Sequence, residues 1–87
     1  MQVLYFSADW CKPCKAFFPV VDKICRDIGI PLVHYDAERD TEIFNQHEVK
    51  SVPTLIVLKD NFQELRFSNA MPGDVLMKAL EGLKRNG

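Results

Sequence analysis

The sequence contains no apolar run long enough to cross a bilayer and no excess of either charge. The apolar run from Leu55 to Leu58 is far shorter than the ~20 residues that a transmembrane helix needs. The 11 Lys and Arg residues are nearly balanced by 12 Asp and Glu residues, which leaves a net charge of -1. A protein that binds nucleic acid through its surface charge normally carries a basic excess. We therefore expect partners that are neither membranes nor nucleic acids.

Cysteine is also scarce, and its distribution does not suit a secreted domain stapled by disulfides. There are three cysteines, and Cys11 and Cys14 lie only three positions apart. Disulfide-rich secreted domains carry an even number of well-spread cysteines. The N-terminus, in which Met1 leads directly to the short run Val3–Phe6, also lacks the basic and apolar parts of a secretory signal. These features predict a cytoplasmic protein in which the close cysteine pair is catalytic or binds a metal.

The length of 87 residues leaves room for one domain, because domains run to roughly 100–200 residues each. Hydrophobic residues make up 47% of the chain and aromatic residues 10%, which is enough for one core without disulfide support. We find no internal repeat and no Gly/Ser linker. The sequence therefore predicts a single domain over residues 1–87, and we expect it to act as a monomer.

The first half of the chain has the pattern of a strand, a helix and a second strand. Val3–Phe6 is a short continuous apolar run, as expected for a strand buried on both faces, and Leu32–Tyr35 is predicted to be a second strand. Between them, apolar residues recur at helical spacing from Lys12 to about Ile28, and Gly29 closes the helix. Pro19 should kink this helix. A strand, a helix and a strand in this order predict a parallel pair with a right-handed crossover.

The second half adds a short helix, a hairpin and a last helix. The short helix should run from Asp40 to about His47. Leu55–Lys59 and Phe62–Phe67 should form a hairpin around the turn residues Asp60-Asn61. The last helix should begin with Pro72 at its first position and end near Arg85. The predicted fold class is α/β, with the order βαβ-α-ββα and a four-stranded mixed sheet flanked by helices.

The most reactive side chains lie where the first strand ends and the long helix begins, in the segment Trp10-Cys11-Lys12-Pro13-Cys14. Two cysteines three positions apart in a first helical turn lie on the same side and can close a small disulfide ring. Unpaired N–H groups and the helix dipole stabilise a thiolate at the helix N-terminus, where Cys11 lies. Cys14 lies one turn deeper. We predict that Cys11 is the attacking thiol and Cys14 the resolving thiol.

Three segments together resemble the thioredoxin family: Ala8 to Lys15, Pro19 five residues beyond the second cysteine, and Val52-Pro53-Thr54. The resemblance covers nearly the whole chain. It implies a thioredoxin-like fold in its shortened form, without the extra N-terminal strand and helix that thioredoxins usually have. It also implies a protein disulfide reductase with no bound cofactor, whose redox-active group is the Cys11–Cys14 disulfide.

The same resemblance implies where a client protein would bind. Pro53 should be cis and face the cysteines, and the backbone of Val52 should offer a strand-like edge to a client peptide. Trp10, Lys12 and Pro13 should complete this substrate-binding surface. The implied partners are client proteins that contain disulfides and, as electron donor, a flavin-dependent thioredoxin reductase.

Two positions depart from the pattern of the family. Thioredoxins usually carry a buried aspartate five residues before the tryptophan, with a lysine partner on the next strand; here the sequence suggests Tyr5 and Leu32 at these places. The carboxylate that helps to deprotonate the deeper cysteine is then missing, so Cys14 needs another base or water. Asp9 and Asp36, at the ends of the strands, are both candidates.

Lys12 replaces the glycine that usually lies between the cysteines of the family. Its charge should favour the Cys11 thiolate by roughly 0.3–1 kcal/mol, which corresponds to about 5–20 mV in reduction potential. This is small beside the ~150 mV range of such proteins. The direction of electron flow should therefore follow from the compartment, and in the cytoplasm it should be reduction of other proteins.

Two alternative functions remain open. A glutathione-dependent reductase like the glutaredoxins is favoured by the short length and by Ser51-Val52-Pro53, which resembles their Thr-Val-Pro. The Gly-Gly-x-Asp segment that usually holds glutathione is represented only by Gly73-Asp74. The other alternative is a docking module of the same fold in which the cysteines are idle.

A structural zinc site is the alternative for the cysteine pair itself. Zinc needs four ligands, and Cys25, His34 and His47 do not follow the spacing of a second ligand pair. We expect no metal. Cys25 is predicted to be a core residue, His34 an ordinary strand residue and His47 an exposed helix residue. Tyr5 is either a packing residue or part of the site.

Overall fold

The computed structural model describes residues 1–59 and 64–86, and its elements follow the predicted order. They are β1 Gln2–Ser7, α1 Lys12–Ile28, β2 Leu32–Asp36, α2 Thr41–Gln46, β3 Thr54–Leu58, β4 Glu64–Phe67 and α3 Gly73–Asn86. No helix within these two ranges is both long and apolar enough to span a bilayer. The predicted α/β class with four strands is confirmed.

The ends of the elements differ from the predictions by a few residues. α1 begins and ends where the sequence predicts. α3 begins at Gly73, so Pro72 precedes the helix instead of occupying its first position, and its carbonyl accepts the N–H groups of Val75 and Leu76. The predicted turn Asp60-Asn61 and the predicted strand start at Phe62 lie outside the described residues.

The sheet has the strand order β2-β1-β3-β4, with β1 parallel to β2 and antiparallel to β3. β1 is therefore a central strand, and alternate side chains enter two different cores. Val3 and Tyr5 pack in a cluster with α1 and α3, while Leu4 and Phe6 pack in a second cluster with Phe44 of α2. Burial on both faces explains why β1 is a continuous apolar run.

The register of the two parallel strands corrects one prediction. Tyr5 lies opposite His34, whereas Leu32 lies opposite Val3. The Val3 N–H donates to the Pro31 carbonyl at 2.9 Å, which fixes this alignment. The residue beside Tyr5 on the next strand is therefore His34 and not Leu32. A one-residue shift would reverse both faces of a strand, but a shift of two keeps them, so the apolar pattern alone leaves this choice open.

α1 carries the site, and both of its ends are well defined. Pro13 lies in the first turn, where a missing N–H costs little. Gly29 ends the helix with φ 74°, and the Ile30 N–H donates to the Cys25 carbonyl at 2.8 Å. This is a left-handed glycine cap. The helix continues through Pro19, and the cap and the first turn together fix the length of α1.

Candidate functional site

Cys11 and Cys14 lie at the start of α1, directly after the end of β1. The Cys11 N–H donates to the Ala8 carbonyl at 3.0 Å, which forms a turn between strand and helix. Cys11 is the N-cap residue, and its Sγ accepts the Cys14 N–H at 3.2 Å. The two cysteines are joined by a disulfide, with their Cα atoms 5.3 Å apart. The predicted small disulfide ring is therefore present.

The two cysteines differ in exposure, although less than the sequence suggests. Cys11 is 6% exposed and Cys14 is 2% exposed. Cys11 is more covered than an open helix end would be, because Ala8 and the partly buried Ala37 and Val52 pack around the pair. The order of exposure agrees with an attacking role for Cys11, but the two roles themselves stay predictions.

The predicted substrate-binding residues lie next to the cysteines in the chain, except for Val52 and Pro53, which come from the segment before β3. Trp10 is 69% exposed, and Lys12 and Pro13 are also exposed. Val52 packs against the cysteine cluster, and the Val52–Pro53 peptide bond is cis. The family resemblance predicts this cis bond. The structure thus brings Val52 to the cysteine pair, and the residue just before Cys11 is an exposed tryptophan.

Tyr5 lies on the buried side of the disulfide. Its hydroxyl donates to the carbonyl of Cys14 at 2.7 Å, and the whole side chain is buried. Burial raises the pKa of Tyr5 to about 12. Tyr5 is therefore a neutral hydrogen-bond donor that holds the first turn of α1. It does not replace a carboxylate as a base.

His34 lies beside Tyr5 and faces the same end of α1. Its ring stacks on Phe18, with centroids 4.7 Å apart and planes at 26°, and lies 5.4 Å from the ring of Tyr5. Nε2 of His34 is hydrogen-bonded to Oγ of Ser7 at 2.5 Å. Burial, and to a lesser degree Arg39, lowers the pKa of His34. The imidazole is thus uncharged at neutral pH.

A surface pocket of about 250 Å³ joins His34 to the deeper cysteine. Its lining comes from the end of β1, from α1 and from β2 and comprises Ser7, Ala8, Asp9, Cys14, Lys15, Phe18, Pro19 and His34. Sequence reasoning missed His34 as a site residue. The signal that identifies it is the parallel register, because the pairing of Tyr5 with His34 places an imidazole beside the tyrosine that is hydrogen-bonded to Cys14.

The two carboxylates predicted as candidate bases have different surroundings. The Asp36 carboxylate accepts the N–H groups of Glu38 and Arg39 at 2.9 and 3.2 Å. These bonds, the Glu38 one above all, lower the pKa of Asp36. Asp36 thus stays ionised and holds the turn after β2. Asp9 is exposed and lines the pocket.

A family model described as Thioredoxin matches residues 1–82. The chain belongs to the thioredoxin family. Thioredoxin Y, chloroplastic, of Oryza sativa subsp. japonica is 32% identical over 78 residues, which are 87% of this chain and 46% of that protein. Thioredoxin of Bacillus subtilis (strain 168) is 39% identical over 57 residues, which are 63% of this chain and 55% of that protein. The chain spans about half the length of the curated relatives it matches.

Solved thioredoxin structures share the arrangement of strands and helices. Thioredoxin 1 of Thermosipho africanus superposes with a TM-score of 0.88 at 27% identity, covering 98% of this chain and 96% of that chain. Thioredoxin-2, described as a component of malaria parasite protein secretion machinery, has a TM-score of 0.84 at 31% identity, covering 93% of this chain and 81% of that chain. The described fold is therefore the thioredoxin fold.

The remaining candidates of this thioredoxin-family chain do not form a second site. Cys25 is a free, buried core cysteine, as predicted, and burial first and Asp22 second raise its pKa to about 11. His47, predicted to be an exposed helix residue, instead follows α2 and is half-buried, with a hydrogen bond to Glu64 at 3.3 Å. Across residues 1–59 and 64–86, no three His, Cys, Asp or Glu side chains are grouped so that they could hold a metal ion.

Proposed function

We propose that this chain is a thiol–disulfide oxidoreductase that reduces disulfide bonds in client proteins. The observation that supports this most directly is the Cys11–Cys14 disulfide at the N-terminus of α1, in a chain of the thioredoxin family. The Sγ of Cys11 already accepts a backbone N–H, and the helix end favours negative charge there. The chain is thus suited to store two electrons as a dithiol.

The reaction proceeds by two exchanges of disulfide bonds. In the reduced chain, the Cys11 thiolate attacks one sulfur of the client disulfide, and the other client sulfur leaves as a thiolate that takes up a proton. Cys14 then loses its proton and attacks the Sγ of Cys11. The bond between Cys11 and the client breaks, the second client thiol is released, and the Cys11–Cys14 disulfide forms. Two electrons pass from the dithiol to the client.

The client binds at the side of the disulfide where Trp10 and Val52 lie. The exposed indole of Trp10 offers apolar area, and the backbone near Val52 offers hydrogen-bonding groups to an extended peptide. Lys12 and Pro13 border the same surface. We propose that Pro53, which lacks an N–H, keeps this edge open to the peptide.

The proposed electron donor is a flavin-dependent thioredoxin reductase. Membership of the thioredoxin family supports this donor over glutathione. Gly73, which we weighed as part of a glutathione site, has a packing reason instead: a Cβ there would lie 3.2 Å from Cγ1 of Val20. The scarce, closely paired cysteines further support a reducing compartment, which we propose is the cytoplasm. We also propose that the chain acts as a monomer.

Reduction of insulin disulfides tests the function and the donor together. The chain is assayed with NADPH and a thioredoxin reductase, and in parallel with glutathione and glutathione reductase. We expect turnover in the first assay only, and its loss in Cys11→Ser and Cys14→Ser but not in Cys25→Ser, the matched control. Turnover only with glutathione would support the glutaredoxin-like alternative. No turnover in either assay would support the docking module.

A further inference from the structure

We propose that His34 accepts the proton of Cys14 in the second exchange, by way of the pocket that both residues line. This inference rests on the proposed function, because it assigns the base for one step of that reaction. His34 takes over the role of the missing carboxylate, while Tyr5 occupies the position of that carboxylate in the fold. His34 lies on the edge strand β2, directly opposite Tyr5 on the neighbouring strand β1.

The position of His34 relative to the deeper cysteine carries the proposal. Cys14 and His34 line the same pocket of about 250 Å³, and the hydroxyl of Ser7, the last residue of β1, is hydrogen-bonded to Nε2 of His34. The pocket is wide enough for water, since a single molecule occupies about 30 Å³ in the liquid. A proton can therefore pass from Cys14 to the imidazole through solvent in the pocket or through the Ser7 hydroxyl.

The other groups near Cys14 are poorer acceptors. Tyr5 points its hydroxyl at the Cys14 carbonyl as a donor, and a phenol with a pKa of about 12 gives no base at neutral pH. The Asp36 carboxylate is held by two backbone N–H groups, and its lowered pKa makes it a weak proton acceptor. Asp9 is the competitor, because it lines the same pocket.

His34 is held in one orientation and is neutral when it is needed. Its ring lies between the face of Phe18 and the hydroxyl of Ser7. The ionisable groups that face His34 or influence its charge are Tyr5, Asp9, Cys14, Lys15, Asp36, Arg39 and Asp40. Burial, the largest influence, and Arg39 together outweigh the three carboxylates, so the pKa of His34 is lowered. The neutral imidazole has a free lone pair that can accept a proton.

The proposed step is balanced in protons and electrons. The proton leaves Sγ of Cys14 and binds the imidazole, and the Cys14 thiolate attacks Sγ of Cys11. The electron pair of the bond between Cys11 and the client leaves with the client sulfur. His34 is itself exposed on one side, so its proton returns to solvent before the next cycle.

Rapid quenching separates the two exchanges. The reduced chain is mixed with an excess of a peptide dimer joined by one disulfide, and samples are quenched with acid at successive times. Mass spectrometry then counts the mixed disulfide and the intramolecular disulfide. At high peptide concentration the attack of Cys11 is fast, and the decay of the mixed disulfide reports the step that His34 assists.

The decisive variants are His34→Gln and His34→Phe. Glutamine keeps a polar group toward Ser7, and phenylalanine keeps the stacking on Phe18, but neither is a base at neutral pH. We expect both to slow decay of the mixed disulfide about tenfold or more, below the ~10²–10⁴ typical of a general base because thiol ionisation still supplies some thiolate. Formation of the mixed disulfide should not change. His47→Gln is the matched control and should behave as the parent chain.

The pH profile and chemical rescue distinguish a base from a structural role. In the parent chain the decay rate should fall as the pH drops through the lowered pKa of His34 and level off above it, whereas in His34→Gln it should keep rising with hydroxide. Added imidazole should accelerate decay in His34→Ala, because a free base can enter the pocket, and not in the parent chain. A parent-like rate and pH profile in His34→Gln would overturn the proposal, as would a slowing found only in Asp9→Asn.

Failure of the proposed function gives a different result in the same experiment. If the chain is not an oxidoreductase, no mixed disulfide forms at all with the parent chain. If only the role of His34 is wrong, the mixed disulfide forms and decays, and its decay rate is the same in the parent chain and in the variants at position 34.

Discussion

At the scale of single residues, the environment of Cys14 departs most from the family pattern. Tyr5 fills buried space, donates to the Cys14 carbonyl and lies beside His34. A polar hydroxyl in a strand buried on both faces is tolerated because its hydrogen bond is satisfied. The position is therefore specific for an aromatic ring with one donor at its end, which neither a carboxylate nor a plain phenyl ring reproduces.

The substitution Tyr5→Asp tests whether position 5 requires a buried aromatic ring with a single hydrogen-bond donor. The new carboxylate would lie in the apolar core, so its pKa in the folded state rises above the ~3.9 of the unfolded chain, and each unit of that rise costs about 1.4 kcal/mol at higher pH. We expect a loss of several kcal/mol out of a total stability of about 5–10 kcal/mol. The loss grows as the pH rises from the unfolded pKa to the folded pKa. Urea unfolding at about pH 5 and at about pH 9 measures this loss of stability and its change with pH.

Tyr5→Phe is the control for Tyr5→Asp. It removes only the hydroxyl and should cost about 0.5–1.5 kcal/mol, with little dependence on pH below neutrality. Equal stability of Tyr5→Asp and the parent chain at both pH values would mean that position 5 is solvated, which would contradict its burial.

The three thiols should react with iodoacetamide at clearly different rates. Reduced Cys11 lies at the helix end beside Lys12, whereas Cys25 is buried with a pKa raised to about 11. We expect alkylation of Cys11 first near neutral pH, with Cys14 slower and Cys25 slowest. Mass spectrometry of partially alkylated protein gives the order, and equal labelling of Cys11 and Cys14 would contradict the assigned roles.

At the scale of elements, helices were easier to predict than strand register. The signals at the two ends of α1 agree with the apolar stripe between them, with Pro13 in the first turn and a glycine after the last, so both ends are predicted correctly. The pairing of β2 with β1 is set by a non-local contact, the Val3 N–H with the Pro31 carbonyl. The sequence therefore identifies the cysteine pair and its position, but not His34, whose role depends on that pairing.

The C-cap of α1 gives a prediction at this scale. Gly29 has φ 74°, a left-handed conformation that costs an L-residue about 1–2 kcal/mol. Gly29→Ala should lower stability by about 1 kcal/mol, and the measurement is urea unfolding. The matched control is Gly82→Ala in α3, where an added Cβ meets no atom within 4 Å. That change should stabilise the chain by about 0.5–1 kcal/mol, because alanine favours a helix over glycine. A stabilising effect at Gly29 would contradict the left-handed cap.

At the scale of the whole molecule, the main hydrophobic core is built without the disulfide. The larger buried cluster, between the sheet and the helices α1 and α3, contains neither Cys11 nor Cys14. Core packing and secondary structure must therefore hold the chain together in both redox states, as the proposed function requires.

Reduction of the Cys11–Cys14 disulfide should accordingly weaken the fold without unfolding it. A crosslink that closes so short a loop stabilises by about 2 kcal/mol in the chain-entropy account. We expect a drop of this size or less when urea unfolding is repeated with a phosphine reductant. The oxidised Cys25→Ser chain controls for effects of the free thiol. Loss of all helical circular dichroism on reduction alone would contradict the separate core.

The close approach of Gly73 to Val20 holds the start of α3 against the middle of α1, the helix whose first turn bears the two cysteines. With α1 anchored in this way, we expect that opening the disulfide needs rotation of two short side chains and little movement of the backbone. The oxidised and reduced forms then have nearly the same outline. A protein that carries electrons in this way would not signal by its shape whether it is oxidised or reduced. Concentration and reduction potential alone would then decide whether it next reacts with an electron donor or with a client.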